Sequence, residues 1–224
     1  MRNLVALLVP VLLFLMATST QAAAVGYLDI LAGGVVEQEA QASANGLDIL
    51  KDGEYGLDIT LVSAGTMLSD RIKIGAEYGG GRIKKIPREA VSLWSVKVGY
   101  RLVDKLAFKL DAMVAPLIID TENSMLRTTL GGLEAIVYFS TKLFFNVSYV
   151  LGNATYEQNG LNKDQAVPIS FFRTKLHYFL TENWGAVAGY SWLKYEFNVI
   201  NPALDLGKME VGFGGPTLGL IYKF

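Results

Sequence analysis

Hydrophobic and polar residues alternate with a period of two along most of the chain after residue 25. In segment 91–102, Trp94, Val96 and Val98 fall on one face, while Ser95 and Lys97 fall on the other. Successive side chains of a β-strand point to opposite faces, so this alternation predicts strands rather than helices. Ten strands are predicted, at 26–37, 54–68, 71–82, 91–102, 106–118, 127–139, 143–156, 168–180, 184–198 and 210–224. The predicted fold class is all-β.

Two kinds of connection alternate between these predicted strands. Four are short polar turns, at 69–70, 103–105, 140–142 and 181–183. The others are longer stretches in which Gly, Asn, Pro, Asp and Lys collect, at 38–53, 83–90, 119–126, 157–167 and 199–209. Regular alternation of short and long connections indicates consecutive antiparallel hairpins, which is an up-and-down topology.

The length of the strands and the positions of the aromatic residues suggest where the sheet resides. The strands run for about 12 to 15 residues, long enough for a tilted crossing of a bilayer, whereas soluble strands average roughly 5 or 6 residues. Aromatic residues gather near both strand ends, as in the interfacial girdles of membrane barrels: Tyr100, Phe139, Tyr178, Trp184 and Tyr222 near the short turns, and Tyr156, Tyr195 and Phe197 near the long connections. We therefore expect an antiparallel transmembrane β-barrel of about ten strands. Eight strands are the alternative, if the first hairpin packs outside or inside the barrel.

The first residues of the chain have the composition of a secretory signal. Arg2 supplies a positive charge, residues 4–16 are apolar, and residues 17–24 are mostly small. We expect residues 1–22 to be a signal peptide, with cleavage as late as residue 24, and residues 25–224 to form the barrel. Export through the Sec pathway follows from that interpretation.

Composition narrows the classes of partner. Hydrophobic residues make up 51% of the chain and the mean hydropathy is +0.32, values high for a soluble protein. The 20 basic and 21 acidic residues are balanced, which argues against a nucleic-acid surface. The chain has no cysteine, so an exported fold would form without disulfides.

The C-terminal residues carry a resemblance to a known class. Leu218, Leu220, Tyr222 and Phe224 alternate on one face, and a terminal Phe in this pattern resembles the assembly signal of bacterial outer-membrane β-barrel proteins. That resemblance implies an outer-membrane location with the short turns in the periplasm. It also implies as partners the barrel assembly machinery, periplasmic chaperones, outer-membrane lipid and lipopolysaccharide. The oligomeric state is left open.

The polar face of the predicted strands places charged residues of both signs in the lumen. The predicted lumen charge network comprises Asp29, Asp58, Lys73, Glu77, Lys97, Arg101, Lys109, Asp111, Glu134, Arg173, Lys175, Lys194 and Glu196. Charges in a narrow barrel must be paired, so we expect ion pairs that largely fill the interior. This favours a non-enzymatic barrel with an envelope structural or surface-interaction role, and with neither cofactor nor metal.

An enzyme and a channel are the two other functions that a barrel of this size could have. An outer-membrane protease or lipid A hydrolase needs a base, and the one histidine, His177, is predicted near the periplasmic turn, whereas omptin proteases place their His–Asp pair at the extracellular rim. The alternative is a narrow channel for small or hydrophobic solutes. It would need a lateral opening, and Pro116, Pro168 and Pro216 are candidates for breaking strand hydrogen bonds beside one.

Overall fold

All described strands of the protein belong to a single antiparallel sheet. The computed structural model describes residues 27–32, 38–44, 47–48, 56–83, 90–121, 124–158, 161–198 and 208–223. The strands are β1 Tyr27–Ala32, β2 Gln38–Ala44, β3 Leu47–Asp48, β4 Gly56–Met67, β5 Ile72–Ile83, β6 Ala90–Lys105, β7 Phe108–Thr121, β8 Ser124–Tyr138, β9 Leu143–Gln158, β10 Leu161–Phe179, β11 Trp184–Asn198 and β12 Lys208–Lys223. Within those ranges, no helix is long and apolar enough to cross a membrane.

Nine long strands form the wall of a barrel, and two short strands close it. Each of β4 to β11 pairs with the next strand along the chain, up to the β11–β12 pair. The strand β1 pairs with both β4 and β12 near their short-turn ends, and β2 pairs with the same two strands near their long-loop ends. Since β1 and β2 share one position in the ring, the barrel has ten strand positions, as predicted.

The first strand differs from its prediction at its end. It was predicted to stop at residue 37 and to be followed by a loop over 38–53, but Gln38–Ala44 continues the same edge as β2. Two other long connections are also shorter than predicted, because β7 extends to Thr121 and β10 begins at Leu161. Hydrogen bonding to an adjacent strand outweighs the loop-like composition of these segments.

Three of the short turns share one hydrogen-bonding pattern. In each, the hydroxyl of a Ser or Thr accepts a bond from the backbone N–H three residues later: Ser69 from Ile72, Ser140 from Leu143 and Thr181 from Trp184. A hydroxyl at this place satisfies a backbone donor that the ladder leaves open. The predicted turns at 69–70, 140–142 and 181–183 are therefore confirmed, with a local reason for each.

The fourth short turn is displaced from its predicted position. The register between β6 and β7 shifts between Arg101 and Val103, so a bulge allows β6 to continue to Lys105 and moves the turn to residues 106–107. The predicted turn at 103–105 is wrong. The bulge keeps Arg101 opposite Asp111 while turning Asp104 toward Lys109, 3.4 Å away.

Two of the prolines in the described ranges lie where one ladder of the sheet is interrupted. Opposite Pro116, the β6–β7 pairing skips from Ser95 to Val98. The β10–β11 ladder ends at Ile169, next to Pro168. Proline has no N–H to donate, so the neighbouring strand loses a hydrogen bond at each site.

Candidate functional site in the barrel interior

The two faces of the wall have the reverse of the polarity found in a soluble protein. On β6, Trp94, Val96 and Val98 point outward and are exposed, whereas Ser95 and Arg101 point inward and are buried. The same holds around the ring, with large exposed apolar side chains on the outside that include Val114, Leu133, Tyr149, Leu151, Phe172, Leu176, Tyr190, Leu218 and Leu220. An apolar exterior around a charged interior is the arrangement of a transmembrane barrel.

Apolar side chains fill the half of the lumen nearer the long loops. Val167 is 0% exposed, and Leu117, Leu126 and Ile169 are buried around it. Phe171, Leu193 and Tyr195 pack against this cluster. A filled interior is typical of small barrels, in which the side chains of the wall meet across the axis. We refer to this group as the apolar plug.

An ion pair joins opposite sides of the barrel below the plug. Both carboxylate oxygens of Glu77 on β5 accept hydrogen bonds from the guanidinium of Arg173 on β10; the Nη2–Oε1 distance is 2.8 Å. The strands β5 and β10 are five positions apart in the ring of ten. The pair therefore spans the lumen. Lys97 Nζ donates a further bond, of 3.1 Å, to Glu77 Oε2.

A second carboxylate, Glu134 on β8, links its strand to β5 and β9. Its Oε2 accepts a hydrogen bond from Lys73 on β5, and its Oε1 accepts one of 2.8 Å from the amide of Asn146 on β9. Both members of the ion pair are more than four-fifths buried. Charge-assisted bonds of this kind are stronger than neutral ones and fix the relative positions of the strands.

The third ion pair lies between neighbouring strands. Arg101 Nε and Nη2 donate to the two oxygens of Asp111, at 2.7 and 3.2 Å, and Asp111 is among the most deeply buried side chains of the chain's described part. The two parallel bonds form the planar fork that arginine makes with carboxylates.

A cavity of about 970 Å³ extends from this ionic layer to the short-turn end of the barrel. Its inner wall contains Lys73, Lys97, Glu134, Arg173 and Lys175, with Ser63 and Ser148. Its rim contains side chains from three consecutive short turns: Leu68, Leu106 and Phe139. The plug and the cavity thus divide the lumen into a closed half and an accessible half.

Comparison with known proteins shows the fold. No protein-family model matches the chain, and no curated protein sequence matches it either. Among solved structures, the outer membrane protease OmpT from Escherichia coli is similar with a TM-score of 0.56 and 12% identity, over 92% of this chain and 100% of that one. An outer membrane channel from Pseudomonas putida F1 is similar with a TM-score of 0.52 and 10% identity, over 90% of this chain and 95% of that one.

The chain has the fold of a bacterial outer-membrane β-barrel protein. Its inverted polarity agrees with that fold, because an integral barrel meets lipid on the outside. In known bacterial outer-membrane barrels, short turns face the periplasm.

Most of the predicted lumen charges lie inside this outer-membrane barrel. Those with described side chains on the inner face are Lys73, Glu77, Lys97, Arg101, Lys109, Asp111, Glu134, Arg173 and Lys175. The backbone of Asp29 pairs with Ser63 and so occupies an inner-face position, although its side chain lies outside the described residues. The ion pairs among these residues link five strands: β5, β6, β7, β8 and β10.

Three predicted lumen residues occupy outer-face positions instead, and for Asp58, whose side chain lies outside the described residues, the backbone register alone gives this position. Lys194 pairs in register with Ser170 and has the opposite parity from Ser191, which faces Arg173. Glu196 shares the face of Lys194, 3.8 Å away, and Asp58 is opposite the exposed Arg82. All three are near the long-loop ends of their strands, where the outer surface leaves the apolar belt and tolerates charge. Alternation within one strand does not fix which face is inside.

The predicted girdles are correct at one end only. Tyr100, Phe139, Tyr178 and Trp184 are exposed on the short-turn side, and the Trp184 ring packs 4.8 Å from that of Tyr222. At the long-loop end, Tyr195 instead points inward and stacks 5.8 Å from Phe213. Register gives Tyr156 and Phe197 the same inner parity. Tyr195 therefore belongs to the apolar plug rather than to a second girdle, and the side chains of Tyr156 and Phe197 lie outside the described residues.

His177 is buried in the wall of the cavity. Its ring stacks on Phe144 with centroids 4.3 Å apart and planes 14° apart. It lies near the short-turn end of β10, three residues before the strand meets its turn. The sequence predicted that His177 lies at this end of the strand, but it did not predict the packing on Phe144. It also did not single out Asn146, which binds Glu134, or Ser63, which lines the cavity.

Some predictions concern residues outside the described ranges. They include the signal peptide at 1–22, its later cleavage at residue 24, and the terminal Phe224. Of the assembly signal, Leu218 and Leu220 are exposed on the outer face, and Tyr222 shares that face by register with Trp184.

Proposed function

We propose that the protein is a non-enzymatic integral outer-membrane barrel, closed to solute flow, with an envelope structural or surface-interaction role. The observation that supports this most is the Glu77–Arg173 pair, which crosses the lumen beneath the apolar plug. Together they occupy the path that a solute would take along the barrel axis.

The cost of opening that path supports a resting closed state. Separating the partners of a buried ion pair costs about 3 to 5 kcal/mol. Displacing the plug would add the exposure of side chains such as Leu117 and Ile169, at roughly 1.5 to 3 kcal/mol for each large apolar side chain. Thermal fluctuation would then open the axis rarely.

The absence of catalysis is part of the proposal. The environment of His177 favours a structural role, because its ring packs against Phe144 and is 3% exposed. A base must reach both its nucleophile and the substrate. The similarity to the OmpT protease concerns the fold, and its low identity transfers no catalytic residue.

Location and partners complete the proposal. We propose that the protein is exported through the Sec pathway and inserted in the outer membrane by the barrel assembly machinery, with periplasmic chaperones on the way. Leu218 and Leu220 on the outer face of β12 support recognition by strand addition. Lipid and lipopolysaccharide would then surround the apolar belt.

A narrow channel is the second candidate, favoured by a different observation. The β6–β7 ladder is interrupted opposite Pro116, and the inner side of these strands, at Lys97 and Met113, lines the cavity. A hydrophobic solute could pass between the cavity and the bilayer there without displacing the plug. The similar Pseudomonas putida protein is described as a channel, but that likeness extends to the fold alone.

Single-channel recording in planar bilayers separates the two functions. We expect the refolded wild-type protein to be silent, and the Arg173→Met variant, which lacks the bridge, to show brief openings. A Lys105→Met variant, altered on the exposed end of β6, serves as the matched control. Stable wild-type openings would contradict the closed barrel. A silent barrel that nevertheless delivers a hydrophobic dye to lipid would favour the lateral channel.

A further inference from the structure

The cavity at the short-turn end has the size and the zoned lining of a ligand site. Its volume of about 970 Å³ is at the upper end of the roughly 300 to 1,000 Å³ typical of small-molecule sites. It opens on one side and ends at the ionic layer, so a guest would bind in one orientation. The closed barrel does not require such a site, and the lateral channel would use the cavity only as a passage.

The inner wall presents mainly hydrogen-bond donors and positive charge. In the Lys97–Glu77 pair, the lysine side chain is 31% exposed and the glutamate 3%. Arg101 lines the cavity, whereas its partner Asp111 is buried behind it. Because the carboxylates of Glu77 and Asp111 are more deeply buried than their partners, the cationic groups of Lys97 and Arg101 are the members of each pair nearer the cavity. The lining also includes Lys73, Arg173 and Lys175; of its described carboxylates, Glu134 lies at the inner wall and Asp70 at the rim.

Two buried hydroxyls at this cavity, on Ser63 and Thr66 of β4, have no described hydrogen-bond partner. Ser63 on β4 lines the cavity, is buried, and its Oγ has no hydrogen-bond partner among the residues that the structure describes. Register places it opposite Glu77 on the neighbouring strand. A buried hydroxyl normally finds a partner, and a polar head group of a guest would provide one.

The rim of the cavity combines polar turn residues, among them Ser69, Asp70, Ser140 and Thr141, with three large apolar side chains. Leu106 is 98% exposed, and Leu68 and Phe139 are each more than half exposed, although all three surround the same mouth. Below them, Phe144 and Phe179 continue the apolar wall. Large apolar side chains exposed together usually mark a binding surface.

We propose that the cavity binds a single-chain anionic amphiphile, such as a fatty acid. Its acidic head lies at the inner wall near Lys97 and Ser63, and its alkyl chain lies along the aromatic wall and the apolar side chains of the rim, Leu68, Leu106 and Phe139. The order of zones explains the orientation: the head group gains charge-assisted bonds, and the chain covers surface that water otherwise meets.

Photo-crosslinking in lipid nanodiscs tests this directly. The probe is a C16 fatty acid with a diazirine at its terminal carbon, and labelled residues are located by mass spectrometry on the full folded chain. We expect labels on rim and wall residues such as Phe139 and Phe144. The methyl ester of the same probe, which lacks the negative charge, should label them about tenfold less, the equivalent of one charge-assisted bond.

Two variants with matched controls make the result decisive. Ala107→Trp fills the mouth, and it should abolish wall labelling, whereas Ala112→Trp on the outer face of the same hairpin should leave it intact. Lys97→Met should weaken labelling by the acid about tenfold and leave the ester unaffected, with Lys105→Met as its control. Folding of each variant is checked by heat-modifiable migration in gels.

Three outcomes would overturn the proposal. The first is labelling confined to lipid-facing residues such as Val114 and Leu133. The second is equal labelling of the wall by acid and ester, which would remove the anionic class. The third is wall labelling that survives Ala107→Trp. Channel recordings play no part in these outcomes, so the site and the closed barrel are tested separately.

Discussion

Arg173 on β10 donates hydrogen bonds to both carboxylate oxygens of Glu77 on β5, and these residues are 96 positions apart in the chain. Their strands lie on opposite sides of a ring of ten positions. A contact of this span limits how far the wall can flatten or widen. It therefore couples the cross-section of the barrel to one ion pair.

Removing one partner of that pair should destabilise the barrel. We expect Arg173→Met to lower the free energy of unfolding by about 3 kcal/mol, the lower end for a buried pair, because Lys97 still neutralises Glu77. Urea titration in lipid vesicles, read by heat-modifiable mobility, measures the change. Lys109→Met, which breaks a more exposed pair with Asp104, should cost less than about 1 kcal/mol. Equal losses in both variants would contradict a special role for the bridge.

Two adjacent glycines on β8 should respond differently to the same substitution. A Cβ at Gly132 would lie 2.1 Å from the carbonyl oxygen of Tyr149, which belongs to the backbone of β9 and cannot turn away. At Gly131 the nearest atom is 4.0 Å distant. We expect Gly132→Ala to reduce refolding yield severely and Gly131→Ala to refold like the wild type. Similar yields for both would show that the two strands do not approach so closely.

The interrupted ladder at Pro116 should be repairable. Pro116→Ala supplies the missing N–H, and we expect a new hydrogen bond to β6 that contributes about 1 kcal/mol. Amide exchange followed by NMR should slow at Val96 and Lys97. Val114→Ala, at an exposed site on the same strand, should leave those amides unchanged. Unaltered exchange in Pro116→Ala would place the cause of the interruption elsewhere than in the proline.

Charge on the outer face should be penalised according to depth. Val98→Arg places a cation in the middle of the apolar belt and should cost about 2 to 4 kcal/mol, whereas Leu106→Arg in a fully exposed turn should cost about 0 to 1 kcal/mol. Unfolding from lipid vesicles gives both values. A mild effect at Val98 would contradict lipid contact at that position, and with it the transmembrane assignment.

Local patterns predicted the architecture well where they were regular. The alternation in β6 assigned Val96 to the outside and Lys97 to the inside, and three Ser- or Thr-containing turns were located correctly. The errors fall where pairing with a distant strand decides the outcome. Gln38–Ala44 looked like a loop but is held between β4 and β12, and a bulge near Leu102 displaced a turn.

The sequence by itself determined the strand periodicity, the hairpin order and the identity of most inward charges, because these depend on neighbours within a few residues. Only the tertiary structure decided which charges meet, that Lys194 and Glu196 lie outside, and that an apolar plug divides the lumen from an accessible cavity. Those features depend on closure of the ring, which brings together strands far apart in the chain. The register of that closure comes from the whole sheet, and no single strand encodes it.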